Sequence, residues 1–132
     1  MIIPIDLENM EASLTAANEA LTTWNAPIDE QTKYKVAFIC EEIITNLARH
    51  ANFEERKPDV SLTYVFAAPD TLQLYFKDNS KHFNLLEFPD PDLSSNLDET
   101  ETGGLGIFLT KKYAKTIQYN YENGYNILKI VL

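Results

Sequence analysis

The sequence predicts an α+β two-layer sandwich, a mixed and mostly antiparallel sheet covered on one face by helices. Three observations predict it. Strands and helices come in runs and not in strict alternation. Two strand pairs are joined by turn-sized links, Ala68-Pro69-Asp70 and Asn123-Gly124. The order reads strand, helix, helix, strand, strand, loop, helix, strand, strand, with no internal repeat.

Each element has its own warrant. Residues 2–6 are short, β-branched and interrupted by Pro4, which suits an edge strand. Residues 7–24 are rich in Glu, Ala and Leu and read as a helix. Asn25-Ala26-Pro27 breaks it, and Pro27 suits the first turn of a second helix running to about Phe53. Pro58 closes the loop that follows. Val60, Leu62, Tyr64 and Phe66 then alternate with Ser61, Thr63 and Val65, and Leu72, Leu74 and Phe76 alternate again, both at strand period. Residues 79–102 hold Pro89, Pro91 and a Ser/Asn/Asp/Glu/Thr stretch. So long a loop in a compact domain is expected to be a functional lid or a disordered segment, with residues 88–102 poorly ordered or mobile when no ligand is bound. A third helix runs from the glycine cluster after it to about Ala114. Ile117, Tyr119 and Tyr121 mark a strand, and Ile127 to Leu132 pairs back across Asn123-Gly124.

The composition narrows the function. At 132 residues, 45% of them apolar, the chain fits one domain, 1–132, with a sizeable core. Net charge is −9, so direct binding to a phosphate backbone is disfavoured, whereas a basic protein partner is compatible. The single cysteine, Cys40, sits in an apolar helical run, which points to packing in a reducing, cytoplasmic setting. No basic-flanked apolar leader and no run of membrane-spanning length is present. With two histidines, His50 and His82, there is no Cys/His, Ser/His or zinc-ligand spacing to support a metabolic hydrolase or zinc enzyme.

Two placements and one cluster carry chemistry. On the second helix Val36, Ile39, Cys40, Ile43 and Leu47 form the core stripe. Glu42, Asn46 and His50, at i, i+4 and i+8, form a polar stripe beside it, while Glu41 and Arg49 point to water. Asp78 shares parity with Leu72, Leu74 and Phe76, so it projects from the core face at a strand end. A carboxylate there needs hydrogen-bond donors. Three of the four glycines crowd into Gly103-Gly104-Leu105-Gly106 just before a helix. Free N–H groups and the positive dipole end favour an anion at such a place. Taken alone, the cluster also reads as a flexible loop before a helix, Glu42/Asn46 as the flank of an amphipathic helix, and Asp78 as a turn or salt-bridged aspartate.

In order and context these features resemble the nucleotide site shared by gyrase, histidine kinases and mismatch-repair ATPases. Within that superfamily the chain is most similar to the bacterial anti-sigma factor serine kinases and their stand-alone ATP-binding relatives. The resemblance rests on Glu42-Ile43-Ile44-Thr45-Asn46-Leu47-Ala48-Arg49-His50-Ala51, on Asp78 through Asn84, on the lid-like Pro89-Asp90-Pro91-Asp92-Leu93, and on Gly103 through Leu109. It implies ATP and Mg²⁺ as ligands. Glu42 stands where the family has its general base, Asn46 where it holds Mg²⁺, and Asp78 where it accepts the adenine amino group. Gly103, Gly104, Leu105 and Gly106 would meet phosphate. His50 is expected to be a structural residue of the cleft. The implied partners are a sigma factor and a serine-bearing antagonist protein, and the resemblance leaves a homodimer open. One departure stands out. Ser80 replaces the family's glycine after the aspartate, and His82 replaces a small or ring residue. A Cβ where open dihedrals or close approach are needed costs energy. A second reading is therefore a non-catalytic interaction module with weakened or lost nucleotide binding.

Overall fold

The computed structural model describes residues 1–67, 69–87 and 104–132. The strands are β1 (Ile2–Ile5), β2 (Val60–Ala67), β3 (Thr71–Asp78), β4 (Thr116–Glu122) and β5 (Tyr125–Val131), and the helices are α1 (Met10–Thr23), α2 (Glu30–His50) and α3 (Gly104–Tyr113). The strands form one sheet in the order β1-β2-β3-β5-β4, and all four pairings are antiparallel. β1 lies at an edge, as Pro4 requires. Asn123 (φ 52°) and Gly124 (φ 82°) turn the β4–β5 hairpin, which needs two successive left-handed residues.

Period two decides which face of the sheet is buried. Val60, Leu62 and Tyr64 of β2, Leu72, Leu74 and Phe76 of β3, and Leu128 and Ile130 of β5 share a core with the helices. From α2 the core takes Val36, Ile39, Cys40, Ile43 and Leu47, the predicted stripe, and Ile44 as well. α1 adds Ala17 and Leu21, and Trp24 just beyond it stacks on Tyr64 with ring centroids 6.2 Å apart. The Tyr64 hydroxyl donates to the Ala17 carbonyl at 3.0 Å and lies 3.8 Å from Cys40 Sγ, stitching both helices to β2. Burial pushes the Cys40 thiol up to about 12, so it stays protonated and packs as a small apolar group.

The helix ends fall where local hydrogen bonds put them. α1 begins three residues later than residue 7, because the Asp6 side chain and carbonyl accept the Glu8 and Asn9 amides in a turn first. α2 does not begin at Pro27. Asp29 caps it, accepting the Thr32 amide at 2.7 Å. At its other end α2 stops at His50, short of Phe53. Ala51 is extended, the Asn52 side chain accepts the Glu54 amide, and Glu54 and Glu55 are left-handed. After β3 the chain runs through Asn79–Asn84 into a short 3₁₀ turn, Leu85–Glu87, whose Leu85 is buried. The expected mobility of 88–102, the acidic Pro89–Leu93 stretch and Gly103 lie outside the described residues.

Candidate functional site

Glu42, the first member of the α2 polar stripe, lies against Gly106 at the start of α3. Asn46 is fully buried, deeper than the edge position its spacing predicts. Its Nδ2 donates to the Glu42 carbonyl one turn back at 2.7 Å, which fixes the amide. Asn46 Oδ1 is then left without a hydrogen-bond donor. A buried orphan of this kind costs about 1–3 kcal/mol, so it calls for a ligand. A hard oxygen donor with no protein partner suits a cation. Among the described residues no three carboxylate, imidazole or thiolate groups converge, so a cation here would rest on this amide, water and the oxygens of a bound ligand. That donor set fits Mg²⁺, which keeps much of its water.

Glu42 is half-buried with its carboxylate against Gly106. Its pKa is raised above the usual carboxylate value, first by burial and then by the neighbouring Glu41, with Arg49 opposing. A carboxylate biased toward taking a proton is suited to general-base work. Gly106 lies inside α3 and its φ is not left-handed, so backbone freedom does not explain the residue. Space does, since a Cβ there would overlap Glu42 Oε2 and Cδ. Gly104 and Leu105 form the first turn of α3, and Gly104, Leu105 and Gly106 are thus brought beside the α2 stripe at a helix N-terminus.

Asp78 sits at the end of β3, 4% exposed, directly opposite Asn126 of β5. Its Oδ1 accepts from the Ser80 amide at 3.1 Å, from the Ser80 hydroxyl, and from Asn126 Nδ2 at 3.0 Å. A small cavity of about 10 Å³, room for one water, lies beside it, lined by Ile43 and Leu47 of α2 with Phe76, Phe83, Tyr119 and Leu128 among others. Ile43 and Leu47 each follow Glu42 or Asn46 in sequence, so one helix faces both the carboxylate of β3 and the start of α3. Three elements predicted to converge are brought together.

One reading changes in part. Ser80 carries no left-handed strain, for the described non-glycine residues with positive φ are Glu54, Glu55 and Asn123. The dihedral half of the objection to a side chain there therefore does not hold. Ser80 is fully buried, with its hydroxyl on Asp78. His50 is exposed at the end of α2, its ring 6.2 Å from that of Phe83. His82 is exposed and packs edge-on against Tyr119 and Tyr121 at 5.6 and 5.1 Å. Lys111 donates to the Leu86 carbonyl at 3.3 Å and ties α3 to the 3₁₀ turn.

Asn126 is the residue that sequence reasoning missed. It lies one position before the expected strand start at Ile127. Its signal was available in strand parity, since Asn126 alternates with Leu128 and Ile130 on the buried face while Lys129 points away. A polar residue on a core face marks a hydrogen-bond hub.

A family model for the histidine kinase-like ATPase domain matches residues 3–132. The chain belongs to this family. As a histidine kinase-like ATPase domain it is similar in fold to the histidine kinase domain of a blue-light activated histidine kinase from Erythrobacter litoralis. The TM-score is 0.59 at 13% identity, over 92% of this chain and 59% of that one. The domain thus spans about three fifths of that neighbour's length. No curated protein matches its sequence. No described helix of the domain is long and apolar enough to cross a membrane.

Proposed function

We propose that this ATPase domain binds Mg²⁺ and ATP and acts as an anti-sigma regulatory factor, transferring the γ-phosphate to a serine of an antagonist protein. The observation that carries the nucleotide reading is Asn46 Oδ1, fully buried, fixed in orientation and lacking a donor, one helical turn from a carboxylate of raised pKa. Mg²⁺ would rest on Asn46 and neutralise phosphate charge. Glu42 takes the proton of the attacking serine hydroxyl. The amides that open α3 favour phosphate by their position. Phosphoryl transfer needs little more from a protein than this positioning and charge neutralisation. The sigma factor and antagonist are supported by the sequence resemblance, and the acidic net charge of −9 suits a basic partner surface.

Calorimetric titration with ATP and Mg²⁺, followed by transfer of labelled γ-phosphate to a candidate antagonist, tests the proposal. Binding with transfer supports it. Binding of partner protein without any nucleotide binding would establish the interaction-module reading instead.

Gly106→Ala probes the placement of the base. The new Cβ must displace the Glu42 carboxylate, and because that is the end of a flexible side chain the fold accommodates it. Alanine is also the better helix residue by about 1 kcal/mol. Phosphate transfer is expected to fall by roughly 10²-fold from the misplaced base, with the melting temperature unchanged or raised. A variant that melts early and loses ATP affinity in parallel would show that Gly106 serves the fold and not Glu42.

A further inference from the structure

The side chain of Asp78 uses its two oxygens unequally. All three of its hydrogen bonds, from Ser80 N, Ser80 Oγ and Asn126 Nδ2, converge on Oδ1. Oδ2 has no hydrogen-bond donor among the described residues, although Asp78 lines the cavity and is 4% exposed. The donors are themselves fixed. Asn126 Oδ1 accepts the Phe83 backbone amide at 2.9 Å, and an N–H can only donate, so the Asn126 amide cannot turn over and must present Nδ2 to Asp78. Nδ2 is held further by the Ser80 and Lys81 carbonyls at 3.2 Å each. Lys81 is anchored in turn by its amide on the Asn52 carbonyl at 2.7 Å. Direct cross-strand pairing of Asp78 with Asn126 sets the distance.

We infer that Ser80 and Asn126 are positioning residues that lock Asp78 through Oδ1, reserve Oδ2 as a lone acceptor for the ligand, and so make the site select a base bearing an exocyclic amino group. This rests on the nucleotide reading above. It reverses the sequence expectation for Ser80, which becomes part of the recognition device and not an obstruction to it. A rigid, single acceptor discriminates more sharply than a carboxylate free to rotate, because the wrong donor–acceptor pairing cannot be relieved.

The lock has a consequence at Asp78 itself. In Asp78→Asn the three donors demand an oxygen, so the new amide must place its oxygen where Oδ1 was and its NH₂ where Oδ2 was. An acceptor becomes a donor. The variant should then refuse an amino purine and take a 6-keto purine.

The test compares binding of ATP and of inosine triphosphate, each with Mg²⁺, to the full chain by calorimetry. Wild type should prefer ATP by about tenfold or more, the scale of one charge-assisted hydrogen bond. Asp78→Asn should weaken ATP by at least about tenfold and bind inosine triphosphate the better of the two. Ser80→Ala, which removes one donor and little volume, should narrow the wild-type preference by weakening ATP while inosine triphosphate binds as well as before or better. If Ser80→Ala weakens both nucleotides equally, its role is structural. If it tightens ATP, Ser80 is a competitor. Either result overturns the inference, as does an Asp78→Asn protein that keeps the ATP preference or a wild type that binds both alike. A wild type that binds neither overturns the nucleotide reading and this inference with it.

Discussion

Glu42→Gln is expected to lower phosphate transfer by about 10²–10⁴-fold, the usual contribution of a general base, while ATP affinity stays within a few-fold of wild type and the protein becomes more heat-stable at neutral pH. The three effects have one cause. A base acts on the attacking hydroxyl and barely touches ground-state ATP. The stability gain follows from the raised Glu42 pKa, caused first by burial and then by Glu41. A carboxyl held above its ordinary value is favoured by the fold in its neutral form. Its contribution to stability is complete below the unfolded value near 4.5 and is lost as pH rises through the raised folded value. Glutamine is neutral at every pH, so the melting temperature of the variant should exceed that of wild type at pH 7 and converge with it below about pH 4. Transfer by wild type should rise with pH along a limb set by the Glu42 carboxylate, and the variant should lack that limb. Intact transfer in Glu42→Gln would remove the base assignment. Lost transfer together with a lower melting temperature would mean that Glu42 holds the structure.

The contrast between Glu42 and Asp78 shows what was legible in the sequence. Both were placed by periodicity, Glu42 by the helical stripe it shares with Asn46 and Asp78 by parity with Phe76. Period alone fixed which face each side chain takes, and the sheet and helices carry them there. It could not fix depth. Asn46 was expected at the rim of the buried face and is fully buried, one turn beyond Glu42, which α3 approaches through Gly106. Nor could it fix long-range pairing. Asp78 meets Asn126 across 48 residues through strand register, a property of the assembled sheet and of no local window. At Ser80 the dihedral half of the expectation fails for a third reason. A family position held by glycine suggested special dihedrals, whereas the backbone here is ordinary and the hydroxyl is engaged. Helix ends missed by about three residues, at Leu7 and Phe53, for the same local cause: Asp6 and Asn52 side chains and left-handed glutamates compete for the backbone.

Asn46→Leu is expected to separate the metal role from packing. Leucine has nearly the shape of asparagine and carries no polar atom. In wild type the orphaned Oδ1 is a buried acceptor with no donor, a penalty of about 1–3 kcal/mol, whereas the Nδ2 bond to the Glu42 carbonyl returns about 0.5–1.5 kcal/mol. Removing both polar groups at once avoids leaving either alone, and burying the apolar side chain adds about 1.5 kcal/mol or more. The ligand-free variant should therefore be as stable as wild type or more so by about 1–2 kcal/mol in denaturant unfolding. Function should move the opposite way. Without the amide oxygen, ATP affinity should lose its dependence on Mg²⁺ and transfer should fall below detection, because cation and phosphates are held as one unit. A polar core residue that costs stability in the free protein and repays it only with ligand bound is the signature of a site. If Asn46→Leu is destabilised by several kcal/mol and still binds ATP with the same response to Mg²⁺, the buried amide serves α2 alone and the cation must be held elsewhere.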